Sequence, residues 1–276
     1  MQKLPPILES ISKKGYFEFS NHYLDETFYA SLYHYFDEVV NLVKNDKKFI
    51  NANLELEKYF TSSAKNMFFA DVTLGWNILK SPKRKTKAFI HYNEKYHECI
   101  KNRYNFLLRD YKVLNIFLSK LQQLHSVSIT FYENHIEYLR ETIPDLKKTM
   151  YYKNKLITYS KICLHEPEDR ITENTHIDWS GFTMILHNDE KFKHHLNIAS
   201  HKECNEDLEY RVYKKHIETY KNNKYAKAII FPGQALKKSK ININPTPYYV
   251  AKISATRHSI ITFCMVPGVE CSFSPP

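Results

Sequence analysis

The chain has 276 residues, 43% of them hydrophobic and 14% aromatic, with only 5 glycines. That balance excludes a disordered or low-complexity protein and leaves ample core for one large domain. Lys and Arg outnumber Asp and Glu by 40 to 30, a net charge of +10 that favours anionic partners. The basic residues form no stripe with interleaved aromatics, which argues against a nucleic-acid partner.

Tyrosine is frequent, at 21 residues, which points to a polar-tipped interior or a lined pocket. Five cysteines (Cys99, Cys163, Cys204, Cys264 and Cys271) are scattered, odd in number and without a CxxC pair. They argue against a disulfide framework or a zinc knuckle and for a reducing compartment. The N-terminal Met1-Gln2-Lys3-Leu4-Pro5-Pro6 opens no apolar signal-like run, and no stretch is apolar enough to span a bilayer. The expectation is a cytoplasmic protein without a membrane span.

Gly15–Phe19 alternates and reads as a short strand. Asp25 reads as a helix cap, followed by Phe28, Leu32, Tyr35, Phe36, Val39, Val40 and Val43 at helical spacing to about Asn45. Residues 48–90 are mixed, with loop signals at Ser62-Ser63 and Ser81-Pro82. The run Lys83-Arg84-Lys85-Thr86-Lys87 reads as a solvated loop. A helical region runs from roughly Tyr92 to Leu139, with Val113, Ile116, Phe117, Leu121 and Leu124 on one face and Pro144 just past its end.

After about residue 150 the pattern turns to short β-rich runs: Lys155–Leu164, Thr175–Leu186, Ala226–Phe231, Tyr248–Ser254 and Arg257–Val266. Within the second of these, Trp179-Ser180-Gly181 reads as a turn. The charged stretch Asn205–Asn222 has no Pro or Gly and reads as a helix. Helices first and strands second predict an α+β protein, a helical flank on a β-sandwich. The N-terminal strand needs a sheet to join, so the expectation is a single domain over 1–276. Residues 1–150 form its mainly helical flank and 151–276 its β core, with a helical insertion near 205–222.

The chemistry concentrates on His176 and Asp178. Two residues apart on a strand, they point the same way. An imidazole beside a carboxylate is two-thirds of the 2-His-1-carboxylate facial triad that holds non-haem Fe(II). Downstream, Arg257 and Ser259 share a strand face, with His258 on the other. A guanidinium with a nearby hydroxyl is a good clamp for a carboxylate. His187, His194, His195 and His201 read as exposed polar residues in a charged segment.

These elements, in this order, resemble the iron(II)/2-oxoglutarate-dependent dioxygenase superfamily, and within it the isopenicillin N synthase-like group. Gly15-Tyr16-Phe17-Glu18-Phe19-Ser20-Asn21-His22 looks like that group's N-terminal strand. His176-Ile177-Asp178 with Phe182-Thr183-Met184-Ile185-Leu186 looks like its HxD segment. Ala228–Leu236, Thr246-Pro247-Tyr248-Tyr249-Val250 and Arg257-His258-Ser259 look like its three later motifs. The resemblance covers most of the chain. It implies a double-stranded β-helix, a jelly-roll barrel flanked by N-terminal helices. It further implies Fe(II) and 2-oxoglutarate as cofactors and a small-molecule substrate. His176 and Asp178 would be metal ligands, and Arg257 and Ser259 would anchor a carboxylate.

The departures are specific. Tyr248 stands where the family has its second metal-binding His, and Tyr249 where it has Arg. The segment preceding HxD is blurred, with Tyr159 the candidate to reach the co-substrate carboxylate. Tyr248 completes the metal site as a phenolate, leaves that position to water, or closes the pocket. Three functions are set against one another: a non-haem iron oxygenase or oxidase with a His-Asp-Tyr pocket, a catalytically degenerate relative serving as a binding protein, and a nucleic-acid-modifying member. The last rests only on net charge.

Overall fold

The computed structural model describes residues 6–20, 23–64, 75–81, 84–167, 173–188, 196–199, 217–219, 227–241, 243–250 and 255–269. After helix α1 (Pro6–Lys14) and strand β1 (Phe17–Ser20), helix α2 (Glu26–Asn45) starts where Asp25 accepts a hydrogen bond from the Phe28 N–H at 2.7 Å. Its buried side chains Tyr29, Leu32, Tyr33, Phe36, Val39, Val40 and Val43 fall on one stripe. Asp46 accepts from the Phe49 N–H at 2.9 Å and opens helix α3 (Lys47–Ala64). This helix replaces the mixed segment expected there, and Ser62-Ser63 lies inside it. Its buried Phe49, Ala52 and Leu56 make a stripe too sparse to read from sequence.

Strands β2 (Gly75–Ser81) and β3 (Arg84–Tyr92) form an antiparallel hairpin. The basic run expected as a loop is therefore largely strand: Arg84 opposes Ser81, and Lys87 opposes His165. Local charge carries no information about a backbone that pairs with a strand far downstream. The long helical region divides into α4 (Glu94–Arg103), α5 (Asn105–Asp110) and α6 (Lys112–Leu139). Tyr92 belongs to the strand before it. Pro144 immediately precedes the short α7 (Asp145–Met150).

The remaining strands are β4 (Tyr151–Tyr152), β5 (Lys155–His165), β6 (Glu173–His176), β7 (Phe182–Asn188), β8 (Leu196–Ala199), β9 (Ile217–Thr219), β10 (Lys227–Pro232), β11 (Tyr248–Val250) and β12 (Arg257–Met265); the five-residue helix α8 (Gln234–Lys238) follows β10. The helical insertion expected near 205–222 is overturned at 217–219, which pair with β8. The rest of that segment lies outside the described residues. A three-residue strand in a charged stretch has no periodicity by which to find it.

Among the described residues the strand pairs are all antiparallel and fall into two sheets. The larger has the order β1-β10-β7-β12-β5-β3-β2, with β4 pairing β5; the smaller has the order β6-β11-β8-β9. From β5 onward the chain crosses repeatedly between them. Strands β5, β7, β10 and β12 lie in the larger sheet and β6, β8, β9 and β11 in the smaller. The helices cover one face of the larger sheet. There the Tyr132 hydroxyl of α6 donates to the Thr262 carbonyl at 2.7 Å, and His125 meets Ser160 at 2.9 Å. The opposite face meets the smaller sheet through an apolar cluster of Ile185, Ile229 and Phe231 against Ile198, Tyr248 and Val250.

His187 corrects the sequence reading. It is buried, its Nδ1 lies 2.8 Å from the Tyr33 hydroxyl, and its ring stacks on Tyr29 at 4.1 Å. The register explains why. Ile261 opposes Ile185 but Ile260 opposes His187, so Leu186 is an extra residue on β7. The bulge reverses the alternation and turns His187 toward α2. His258 also faces α2, as alternation predicts, with Nε2 2.7 Å from Asp37 Oδ1. His194, His195 and His201 lie outside the described residues.

Candidate functional site

Strand β6 ends at His176, directly opposite Tyr248 of β11. Their rings are 4.4 Å apart. Asp178 lies just past the strand end, in the turn that feeds β7. His176 Nε2 stands 3.6 Å from Asp178 Oδ1, so the two side chains do converge. That turn is pinned by backbone hydrogen bonds: Gln234 N–H to the Asp178 carbonyl at 2.8 Å, Gly233 N–H to the Gly181 carbonyl at 2.9 Å and Gly181 N–H to the Cys264 carbonyl at 2.8 Å. Gly233 fits because it has no side chain. A Cβ there would stand 2.2 Å from the Ser180 carbonyl oxygen.

The Asp178 carboxylate is held from behind. Thr183 Oγ1 donates to Oδ2 at 2.7 Å, and Ser180 Oγ lies 2.8 Å from Thr183 Oγ1. Because the Thr183 proton goes to the carboxylate, Ser180 donates to Thr183. The Tyr248 hydroxyl donates to the same carboxylate, 3.1 Å from Oδ2 and 3.3 Å from Oδ1. Burial pushes the Tyr248 phenol well above its usual range, and the adjacent Asp178 charge pushes it the same way; Arg257 opposes both. The tyrosine is therefore a protonated donor in this arrangement rather than a phenolate. Among the described residues, no group of three His, Cys, Asp and Glu side chains converges on a metal position.

Arg257 and Ser259 are buried on the β12 face that looks toward the smaller sheet. Ser259 Oγ is buried and has no hydrogen-bond partner among the described residues. Across the sheet, Arg257 opposes His165 and Ser259 opposes Cys163. Sequence reasoning missed these two, along with Thr183 and Ser180. The signal for His165 and Cys163 is the alternation of β5 itself, once Thr158 and Ser160 are known to face His125 on the helix side.

Tyr159 is placed elsewhere. It is buried and opposes Phe263, six residues along β5 from the position opposite Arg257. At ~3.4 Å per residue that is about 20 Å, too far for both side chains to grip one carboxylate. The register of an HxD-preceding strand cannot be set from its own residues when the motif is blurred.

No family model matches the chain, and no curated protein does either. Solved structures do match in fold. The dioxygenase for auxin oxidation 1 of Arabidopsis thaliana, as its 2-oxoglutarate binary complex, superposes with a TM-score of 0.61 at 12% identity, covering 98% of this chain and 90% of that one. A full-length Neurospora crassa protein in complex with alpha-KG and thymine gives 0.59 at 11% identity, covering 95% and 79%. The rice dioxygenase for auxin oxidation gives 0.57 at 10%, covering 94% and 76%. At these identities the likeness is one of architecture: two antiparallel sheets with a helical flank, as in these oxygenases.

Proposed function

We propose that this protein is a non-haem iron oxygenase that uses O2 and 2-oxoglutarate to oxidise a small molecule, from a pocket built by His176, Asp178 and Tyr248. The single observation that carries the reading is the convergence of His176 Nε2 on Asp178 Oδ1 at 3.6 Å, between the two sheets of an oxygenase-like fold. The repeated crossing of the chain between the two sheets supports a double-stranded β-helix. The Arabidopsis neighbour is a 2-oxoglutarate complex and the Neurospora neighbour an alpha-KG and thymine complex, which supports the same co-substrate and a small organic substrate here. Three buried free thiols, Cys99, Cys163 and Cys264, support a reducing compartment such as the cytoplasm. No helix among the described residues is long and apolar enough to cross a membrane.

The residues present fit the metal as a two-ligand site. His176 offers an imidazole nitrogen and Asp178 its Oδ1, while Oδ2 is taken up by Thr183 and Tyr248, the kind of outer support that fixes a ligating carboxylate. The buried Ser259 hydroxyl beside the Arg257 guanidinium fits the distal carboxylate of 2-oxoglutarate. Iron(II), when bound, supplies oxygen activation, and 2-oxoglutarate supplies the accompanying electrons. The chain's own contribution is placement. Thr183 and Tyr248 hold the carboxylate, and Arg257 and Ser259 fix the co-substrate. The Ile185, Ile229 and Phe231 wall keeps water from the reacting end.

Oxygen-dependent succinate release from 2-oxoglutarate, with Fe(II) added anaerobically beforehand, tests the reading. Release is expected in the wild type and lost in His176→Ala and Asp178→Ala; 2-oxoglutarate binding is lost in Arg257→Gln. A wild type that binds Fe(II) no better than both mutants overturns it. The second reading is a relative that binds without turnover. It is favoured by one specific contact, the Tyr248 hydroxyl on Asp178 at the corner a third ligand would take. Tight 2-oxoglutarate binding with no succinate release selects it.

A further inference from the structure

The two candidate ligands are carried by different parts of the fold. His176 ends β6 in the smaller sheet, paired with Tyr248 of β11. Asp178 lies beyond that strand, in the turn before β7, and has no ladder partner among the described residues. Its backbone is fastened by α8 and the glycine before it. The Gly233, Gln234 and Ala235 N–H groups donate to the carbonyls of Gly181, Asp178 and Ser180 at 2.9, 2.8 and 3.2 Å. The Gly181 N–H ties the far end of the turn to the Cys264 carbonyl of β12 at 2.8 Å. One helical turn beyond Gln234, the Lys238 ammonium lies 4.0 Å from the centroid of the Trp179 ring. Trp179 is the residue next to Asp178, so what holds its ring also restricts the backbone that carries the carboxylate.

We propose that Lys238 and Trp179 are positioning residues for the metal site: their contact locks the Asp178 turn onto α8 and so sets the separation between Asp178 and His176. This rests on the oxygenase reading for the metal, while the lock is a property of the metal-free chain. Thr183 and Tyr248 act on the carboxylate itself; Lys238 acts on the backbone behind it. His176 Nε2 stands 3.6 Å from Asp178 Oδ1, and a ligand pair keeps its affinity only when held within about 0.5 Å of the productive geometry. A cation over an aromatic ring at an exposed site shifts an equilibrium about two- to fivefold, with Trp the strongest partner. The sign of the effect separates the lock from plain electrostatics. Removing a positive charge near a dication site strengthens the binding of the dication. Loosening the turn weakens it.

The test uses the full-length protein, with Mn(II) as the titrated probe at ~0.3 M salt to screen direct repulsion. Amide hydrogen exchange is measured on the metal-free protein. Lys238→Met and Trp179→Leu are expected to weaken Mn(II) binding about two- to fivefold. In the same variants the Gly181 and Gln234 amides exchange faster without metal, and the melting temperature stays within ~4 °C of wild type. Lys238→Arg keeps a cation over the ring and keeps wild-type values of both. Lys237→Met removes an equal charge from the same helix turn and changes neither. Unchanged exchange in both variants, tighter Mn(II) binding in Lys238→Met, or the same loss in Lys237→Met overturns the proposal. A wild type that binds no Mn(II) overturns the oxygenase reading; faster exchange at Gly181 and Gln234 then still retains the lock, and unchanged exchange ends it.

Discussion

The Tyr248 hydroxyl donates to the Asp178 carboxylate, 3.1 Å from Oδ2 and 3.3 Å from Oδ1. The same tyrosine stands directly opposite His176 across β11 and β6. The contact makes the pocket internally satisfied, because the half-buried carboxylate has hydrogen-bond donors whether or not a cation is near.

Tyr248→His should therefore turn a two-ligand site into a three-ligand one. Fe(II) or Mn(II) affinity, measured by anaerobic titration, is expected to rise by about 10–100-fold. An affinity equal to wild type would mean that His176 and Asp178 do not face a common metal position.

Gly233→Ala tests how the turn carrying Asp178 is held. The new Cβ would stand 2.2 Å from the Ser180 carbonyl oxygen and 2.8 Å from the Asp178 carbonyl oxygen, both backbone atoms that cannot swing away. Overpacking of this kind costs about 1–3 kcal/mol. A fall in melting temperature with weakened metal binding is expected; an unchanged thermal midpoint would show that the turn relaxes freely.

Two buried histidines set an acid limb. Burial holds His125 down at about 4, and burial also holds His135 down at about 4 against a smaller opposing hydrogen bond at Phe131. Their ordinary value is 6.5. Between pH 6.5 and 4 the unfolded chain takes up protons that the native chain refuses, so stability falls as pH falls across that window and levels off below it. The effect is on the order of 3 kcal/mol per histidine. Urea midpoints from pH 7.5 to 4 should show this slope, and it should shrink in His135→Phe, whose ring would join Phe17 and Phe19. A slope identical in the variant would assign the acid limb to other groups.

Helix α2 is fastened to the sheet by Tyr33, whose hydroxyl meets His187 Nδ1 at 2.8 Å while its ring stacks on His258 at 4.6 Å. Tyr33→Phe keeps the stacking and removes the hydroxyl. A loss of about 1 kcal/mol by chemical denaturation is expected, and it should vanish in a His187→Phe background. The same loss in both backgrounds would show that the hydroxyl acts elsewhere.

Some of this was legible in the chain. Asp25 and the Phe28-to-Val43 stripe specify α2 locally, since a cap and a 3.6-residue period need no distant partner. His176 and Asp178 converge as expected, but Asp178 lies past the end of β6. Hydrogen bonds from Gln234 and Thr183 hold it there rather than strand alternation. Arg257 and Ser259 do share a face by alternation on β12. These are relations between near neighbours, and they could be read with the α+β division of the chain before any strand was paired.

The remainder depended on how distant strands align. Whether Tyr159 could reach the Arg257 site turned on the register of β5 and β12, which sets Phe263 against Tyr159 and His165 against Arg257. His187 turned inward because one extra residue on β7 reverses its alternation, a property of the pair of strands and not of either one. The hairpin that holds Phe89 and His91 was hidden by its charge, and only its pairing with β5 brings those rings to Lys161. The protonated state of Tyr248 likewise comes from burial and from an aspartate 70 residues away. Short-range periodicity fixes which way a side chain points, but the chemistry of this pocket depends on cross-strand register and dielectric, and both arise only when the two sheets close on each other.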